Sequence, residues 1–155
     1  STVRRRSQVP GPGAPALPRP GVPAAARDLL GCAARGIVEA AAADQPRQRY
    51  ALAHLAALRT AAAVLACRSQ PAPRRRGGPR SAWELLAKVA PEFGEWATFF
   101  AAGAGKRAAA EAGVGRVTDR EAADLVRESE RFLALVCDHL GVIHQPGLAL
   151  LSHAG

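Results

Sequence analysis

The sequence predicts an all-α protein, an up-and-down bundle of four to five helices, and three observations favour it. Apolar residues recur at three- and four-residue steps in successive segments, which is the period of an amphipathic helix. No segment shows the sustained two-residue alternation of a half-buried strand. Two segments open with a Ser/Thr-x-x-Glu capping box, at Ser81 and at Thr118. Aromatic residues make up only 5% of the chain while alanine is abundant, so we expect closely spaced helices packed over small side chains.

The first helix is predicted to start near Ala24 and to end near Ala43. Its apolar side holds Leu29, Leu30, Ala33, Ile37 and Ala40. Asp44 is the predicted cap of the second helix, Pro46 suits its first turn, and that helix should run to about Arg68. Its core face holds Tyr50, His54, Leu58, Ala61 and Leu65.

A third helix is predicted from Ala82 to about Val89, after which Pro91 either kinks or restarts it. Its apolar stripe continues to about Ala112 through Phe93, Trp96, Phe100 and Gly103, and Gly113 is the predicted terminator. The last helix follows Thr118 and ends near Leu140, with an apolar side of Ala122, Leu125, Ser129, Phe132 and Val136. Phe99 lies roughly 100° from Phe100 on one helix, so one of the two should face a partner, which predicts a homodimer.

The net charge of +8 divides the chain into a neutral body and two cationic segments. Residues 1–23 carry four arginines and no acid, and residues 69–80 carry Arg74, Arg75, Arg76 and Arg80 and no acid. We therefore predict a disordered Pro/Gly/Arg-rich arm over 1–23, a helical bundle over 24–140 with a long loop over 69–80, and a loosely ordered tail over 141–155.

Cysteine spacing and hydropathy bound the class of protein. Cys32, Cys67 and Cys137 lie singly in helical patterns with no Cys-x-x-Cys pair, so we expect small buried hydrophobes in a reducing compartment and no metal site. No apolar run approaches the roughly 20 residues of a membrane span. The chain is predicted to be cytoplasmic, with no membrane association and no cofactor.

Two residues offer candidate chemistry on the second helix. Arg49 and His54 stand at an Arg-x4-His spacing, in which a histidine moves protons and an arginine holds a phosphate. Five residues turn a helix by about 140° (from the roughly 100° step), so the pair shares a site only across a helix end or a dimer seam. In the alternative interpretation His54 packs beside Tyr50 and Arg49 is solvated. A third alternative makes Tyr50 and His54 the walls of a nucleotide pocket.

The arginine cluster of the 69–80 loop is a candidate contact for RNA or DNA, and the arm is a second one. No aromatic side chain is interleaved with either run, so binding would be electrostatic and salt-sensitive. Gly103-Ala-Gly-Lys-Arg107 lacks the spacing of a phosphate loop. It is better interpreted as helix in which glycines let a neighbour approach closely.

Residues from about 25 to 140 resemble a small actinobacterial branch of the HEPN (higher eukaryotes and prokaryotes nucleotide-binding) superfamily, a branch of uncharacterised activity. The resemblance is carried by residues 49–59, by residues 79–93 and by residues 96–107. It implies an up-and-down helical bundle in a superfamily whose members bind nucleotides or cut RNA. Many of these are dimeric toxins with a nucleotidyltransferase-type partner. Their cleavage motif commonly lies on a late helix, whereas the match here, Arg49 to His54, lies on the second.

Three functions follow as hypotheses. The first is a non-catalytic HEPN-like module that acts as an interaction or nucleic-acid-associated accessory protein. The second is a metal-independent ribonuclease, toxin-like, that uses Arg49 and His54. The third is a nucleotide-binding regulator with a pocket at Tyr50 and His54.

Overall fold

The computed structural model describes residues 21–68 and 81–144, and within these ranges every regular element is helical. Six α-helices are present, which confirms the all-α prediction. They are α1 (Ala24–Ala42), α2 (Pro46–Cys67), α3 (Ala82–Val89), α4 (Gly94–Ala102), α5 (Ala104–Glu111) and α6 (Asp119–Leu140), with a 3₁₀ turn at Pro91–Phe93 between α3 and α4.

The bundle runs up and down, with α3, α4 and α5 forming its third arm. Because a short connection joins α1 to α2 and Gly36 of α1 faces Ala56 of α2, the two helices are antiparallel. The third arm returns along α2: Arg68 donates to the Val89 carbonyl (2.7 Å) and Arg47 to the Gly113 carbonyl (2.5 Å). Helix α6 then runs in the direction of α2.

These directions give the bundle two poles. The first pole contains the start of α1, the ends of α2, α3 and α6, and the turn from α3 into α4. Helix α3 begins further along α2, where Trp83 contacts His54. The second pole contains the α1–α2 connection, the end of α5 and the start of α6. Two side-chain contacts of α6 agree with this direction. Arg49 lies 3.7 Å from Asp119 at the second pole, and His139 lies 3.4 Å from Glu92 at the first pole.

Helix α2 lies at the centre of the bundle and packs against α1, α3, α5 and α6. Six of its eleven buried residues are alanines, so the neighbouring helices approach closely. Among the described helices, α2 alone has the length and hydropathy of a membrane span, but most of it is buried inside the bundle. It is therefore the core helix of the bundle.

The third arm is divided at two places. Pro91 restarts the helix through the 3₁₀ turn, as one of the two predicted outcomes, and a second break follows at Gly103. The expected continuous helix to Ala112 is therefore wrong, although the end near Gly113 (φ +77°) is correct. Five aromatic rings on the arm and on α6 form the core between them: Trp83, Phe93, Trp96, Phe100 and Phe132.

The helix ends follow the predicted caps with one exception. Thr118 Oγ1 and the Glu121 carboxylate exchange hydrogen bonds with each other's backbone N–H at 3.0 Å, the full capping box, and Ser81 Oγ accepts from Glu84 N–H (3.2 Å). The prediction that Asp44 caps α2 is wrong, because Gln45 occupies that position and makes no side-chain cap bond.

The predicted apolar sides of α1, α2 and α6 are buried, with Leu29 and Leu58 half-buried. Cys137 is buried, which raises its thiol pKa to about 11, while Cys32 and Cys67 are half-buried free thiols. Residues 1–20, 69–80 and 145–155 lie outside the described residues. They contain most of the predicted arm, the 69–80 loop with its four arginines, and most of the predicted tail, so these remain predictions.

Candidate functional site

The side chain of Arg49, on α2, contacts the end of α1 and the start of α6 at the second pole. Its Nε and Nη2 donate to the Ala43 carbonyl at 3.2 and 2.8 Å, and Nη2 also donates to the Asp44 carbonyl at 3.2 Å. Carbonyls that follow the last turn of a helix have no partner within it, and an arginine fork satisfies two of them at once. Arg49 therefore caps the end of α1 from the first turn of α2.

The Arg49 guanidinium also faces the Asp119 carboxylate, the first residue of α6, at 3.7 Å. The Asp119 side chain is 85% exposed, so this ion pair adds little to stability. It does place a negative charge beside the guanidinium. Arg49 was expected either to hold a phosphate or to be solvated, and the structure shows a third role, a structural clamp.

Replacing Arg49 with alanine is expected to lower the free energy of unfolding by about 1.5–3 kcal/mol, because charge-assisted bonds to two carbonyls are lost. Urea unfolding followed by circular dichroism measures this. Asp119→Asn is the matched control, since it removes only the exposed ion pair, and its cost should stay below about 1 kcal/mol. Equal costs for the two variants would contradict the capping role.

His54 lies on the opposite side of α2 and is only 1% exposed. Its Nε2 lies 2.8 Å from the carbonyl oxygen of Phe100 in the last turn of α4. Since a carbonyl only accepts, Nε2 carries the proton and donates it. The rings of Trp83 and Phe100 each stand edge-on to the imidazole at 5.9 Å.

This environment holds His54 neutral. Burial among aromatic rings lowers its pKa, although the bond to the Phe100 carbonyl acts in the opposite direction. Its second nitrogen, Nδ1, has no hydrogen-bond partner among the described residues. The His54 imidazole is therefore part of the aromatic core.

Tyr50 lies one turn before His54 and covers Gly103, where α4 and α5 meet. A Cβ at Gly103 would stand 2.7 Å from the Tyr50 hydroxyl and 3.6 Å from His54 Cδ2. The glycine is thus required for contact between the third arm and α2, which confirms the predicted close approach at this position. Burial raises the Tyr50 pKa, and Lys106 lies 6.0 Å from its ring centre.

The predicted site residues therefore do not form one cleft in the described part of the chain. Arg49 lies at the helix connection and His54 lies inside the aromatic core. The packing alternative for His54 beside Tyr50 agrees with the structure, in which both side chains are buried. Arg74, Arg75, Arg76 and Arg80 lie outside the described residues. No three His, Cys, Asp or Glu side chains lie together in residues 21–68 and 81–144 as metal ligands would.

A groove that the sequence analysis did not find runs between the start of α2 and the end of α5. Its volume is about 440 Å³, and its lining includes the apolar Ala51, Leu52, Leu55 and Ala110 with the polar Gln45, Arg47, Gln48 and Glu111. Leu52 and Leu55 are half-buried, and how much of each side chain is covered depends on how far α5 extends along α2. A helical period alone cannot supply that length.

The model of the SAV_6107-like HEPN family matches residues 40–137. The chain belongs to this family. The matched residues run from the end of α1 through α2 and the third arm to the last turn of α6, so they include the clamp at Arg49 and the buried His54. No curated protein matches the chain, and no solved structure matches it.

Membership in the HEPN family confirms the predicted resemblance and agrees with the helical bundle. The family match does not change the position of either candidate residue. In this HEPN domain the Arg-x4-His segment of α2 contributes to the fold, through Arg49 at the second pole and through His54 in the core.

Proposed function

We propose that the protein is a non-catalytic HEPN module that works as an accessory protein through its surfaces and its cationic segments, in the cytoplasm. One observation carries the proposal: Arg49 and His54 are each engaged in internal bonds, on different sides of α2. General acid–base cleavage requires a histidine within hydrogen-bond reach of the reacting oxygen. His54 is enclosed by Trp83, Phe100 and Tyr50 instead.

Contact with a nucleic-acid backbone is supported by where the cationic segments join the bundle. Residues 1–23 lead into α1 and residues 69–80 follow the end of α2, and both of these helix ends lie at the first pole. The two segments, which carry eight arginines between them, are therefore each attached to the neutral body at the first pole by one of their ends. A polyanion that meets one segment also meets the second, with an affinity set by counterion release.

The experiment measures RNA binding and RNA cleavage on the same sample. Fluorescence anisotropy with a mixed-sequence RNA is expected to show binding at 50 mM salt that falls steeply by 200 mM, with the RNA intact after incubation in EDTA. Replacing Arg74, Arg75 and Arg76 together by glutamine should weaken binding. The matched control replaces three exposed arginines of α6, Arg120, Arg127 and Arg131, by glutamine, with the same change in net charge.

Equal losses from the two triple variants would show that total charge, and not the 69–80 loop, determines binding. RNA cleavage in EDTA that disappears in a folded Arg49→Lys variant would overturn the non-catalytic assignment and favour the ribonuclease. Absence of RNA and DNA binding at low salt would remove the nucleic-acid part of the proposal.

Self-association is the second part of the proposal, and Phe99 supports it. Phe99 is 46% exposed whereas Phe100 is fully buried, so the adjacent phenylalanines face different sides of α4, as the roughly 100° helical step requires. Residues 96–105 around Phe99 carry no charge, which suits contact between two copies of a cationic protein.

Analytical ultracentrifugation at micromolar concentration should show a dimer that Phe99→Ser disrupts. Leu135→Ser, at a similarly exposed leucine of α6, should leave the dimer intact. A wild-type protein that is monomeric would contradict the self-association proposal.

A further inference from the structure

The imidazole of His54 attaches α2 to the break between α4 and α5. The carbonyl of Phe100 lies in the last turn of α4, where helix carbonyls lack an ordinary i+4 partner. It accepts from Gly103 N–H at 3.0 Å and interacts with His54 Nε2 at 2.8 Å. The imidazole donor therefore comes from a different helix, and it binds at the junction where α4 ends and α5 begins.

The surroundings of His54 favour only the neutral imidazole. Trp83 of α3 and Phe100 of α4 cover it, and Nδ1 has no partner among the described residues. The titratable and charged groups that face this region are few. On α2 there is Tyr50, and on α5 there are Arg107 and Glu111, which pair with each other at 2.7 Å.

Two further charged groups face Tyr50 and are not hydrogen-bonded to the imidazole. Lys106 of α5 pairs with Glu121 of α6 at 3.0 Å, and this pair faces Tyr50. Helix α6 reaches α2 nearby through the uncharged Ser129, whose hydroxyl donates to the Ala53 carbonyl at 2.9 Å. No carboxylate is hydrogen-bonded to the imidazole, so a second proton on the ring would have no acceptor among the described residues.

We propose that His54 is a proton-sensitive latch: a proton taken from solvent at Nδ1 weakens the attachment of the third arm to α2 and loosens the α4–α5 break. The latch is defined by His54, the Phe100 carbonyl and Gly103. Its neutral form needs only the Nε2–H bond that it makes. Its protonated form carries an additional N–H donor and a full charge inside an aromatic core, which costs free energy.

The direction of the pH dependence follows from burial. Desolvation lowers the His54 pKa below its ordinary 6.5, against the smaller opposing influence of the Phe100 carbonyl. The unfolded chain therefore binds the proton first as pH falls. The stability that neutral His54 provides is complete above pH 6.5, is lost as pH falls below it, and levels off once the folded protein is protonated too.

The test compares wild type with His54→Gln by urea unfolding at pH 7.5 and pH 5.5, a window above the ordinary range of the carboxylates. Glutamine keeps an N–H donor for the Phe100 carbonyl but does not titrate. The unfolding constant of wild type should rise up to about tenfold more than that of His54→Gln on acidification. His144, whose pKa is also lowered by burial, is removed in the control His144→Gln, which should keep the His54 contribution.

Amide hydrogen exchange shows which part of the bundle is destabilised when His54 is protonated. After correction for intrinsic rates, amides of residues 100–111 should lose more protection at pH 5.5 than amides of α1, and His54→Gln should abolish this difference. The proposal is overturned if His54→Gln retains the full wild-type pH dependence of unfolding. A uniform loss of protection across the bundle would also overturn it, because the latch acts at one junction. So would a His54 NMR titration at or above pH 6.5.

Discussion

Replacing Phe100 with alanine is expected to lower the free energy of unfolding by about 3–5 kcal/mol, the range for removing a fully buried phenylalanine. Its ring stacks on Trp83 (centroids 5.1 Å apart) and lies 5.4 Å from Phe132 on α6. The cavity would open where three elements meet, so neighbouring helices could refill it only by moving together. Chemical denaturation monitored by tryptophan fluorescence measures the change.

Phe99→Ala is the matched control, since it changes the same residue type one position along the chain. Phe99 is exposed at the surface of α4, and its replacement should cost far less than that of Phe100. The comparison separates core packing from the general helix propensity of the segment, because alanine is the better helix former in both variants. Similar costs for the two variants would contradict the orientation of α4 described above.

Replacing Gly103 with alanine is expected to destabilise the protein by about 1–3 kcal/mol, the cost of overpacking a tight contact. The backbone at Gly103 has φ −90°, which any residue adopts, so the cost is steric. The added methyl would stand 2.7 Å from the Tyr50 hydroxyl, at the end of a rigid buried ring. The midpoint of urea unfolding reports the loss.

Two further variants make this test specific. Tyr50→Phe removes the clashing oxygen and leaves the nearest remaining neighbours of the added methyl at 3.6 Å. The double variant should therefore recover much of the loss, with a coupling energy of about 1 kcal/mol or more. Gly105→Ala, where nothing lies within 4 Å of the added methyl, should stabilise α5 by about 0.5–1 kcal/mol. No recovery in the double variant would show that the cost has another source.

The sequence was sufficient to predict the helices whose signals are local. The capping box at Thr118, the apolar side of α6 and the restart at Pro91 depend on residues a few positions apart, and each was found in the structure. The break at Gly103 was not predicted, since the alanine-rich residues around it favour a continuous helix. It depends on Tyr50 and His54 of α2, which are distant in the chain.

The same distinction explains the candidate residues. The helical period placed Arg49 and His54 on different sides of α2, and the structure agrees. Their partners were not predictable: the Ala43 carbonyl and the Asp119 carboxylate reach Arg49, and the Phe100 carbonyl reaches His54, only when α1, α4 and α6 assemble around α2. The groove beside Leu55 was missed for the same reason.

The arrangement of the poles bears on how the protein can be labelled or fused. A domain joined ahead of α1 or behind α6 would stand at the first pole, beside the end of α2, and would compete sterically with any large ligand there. The short connection around Asp44 lies at the far pole. A fluorophore or an affinity handle introduced at Asp44 would leave the first pole unobstructed.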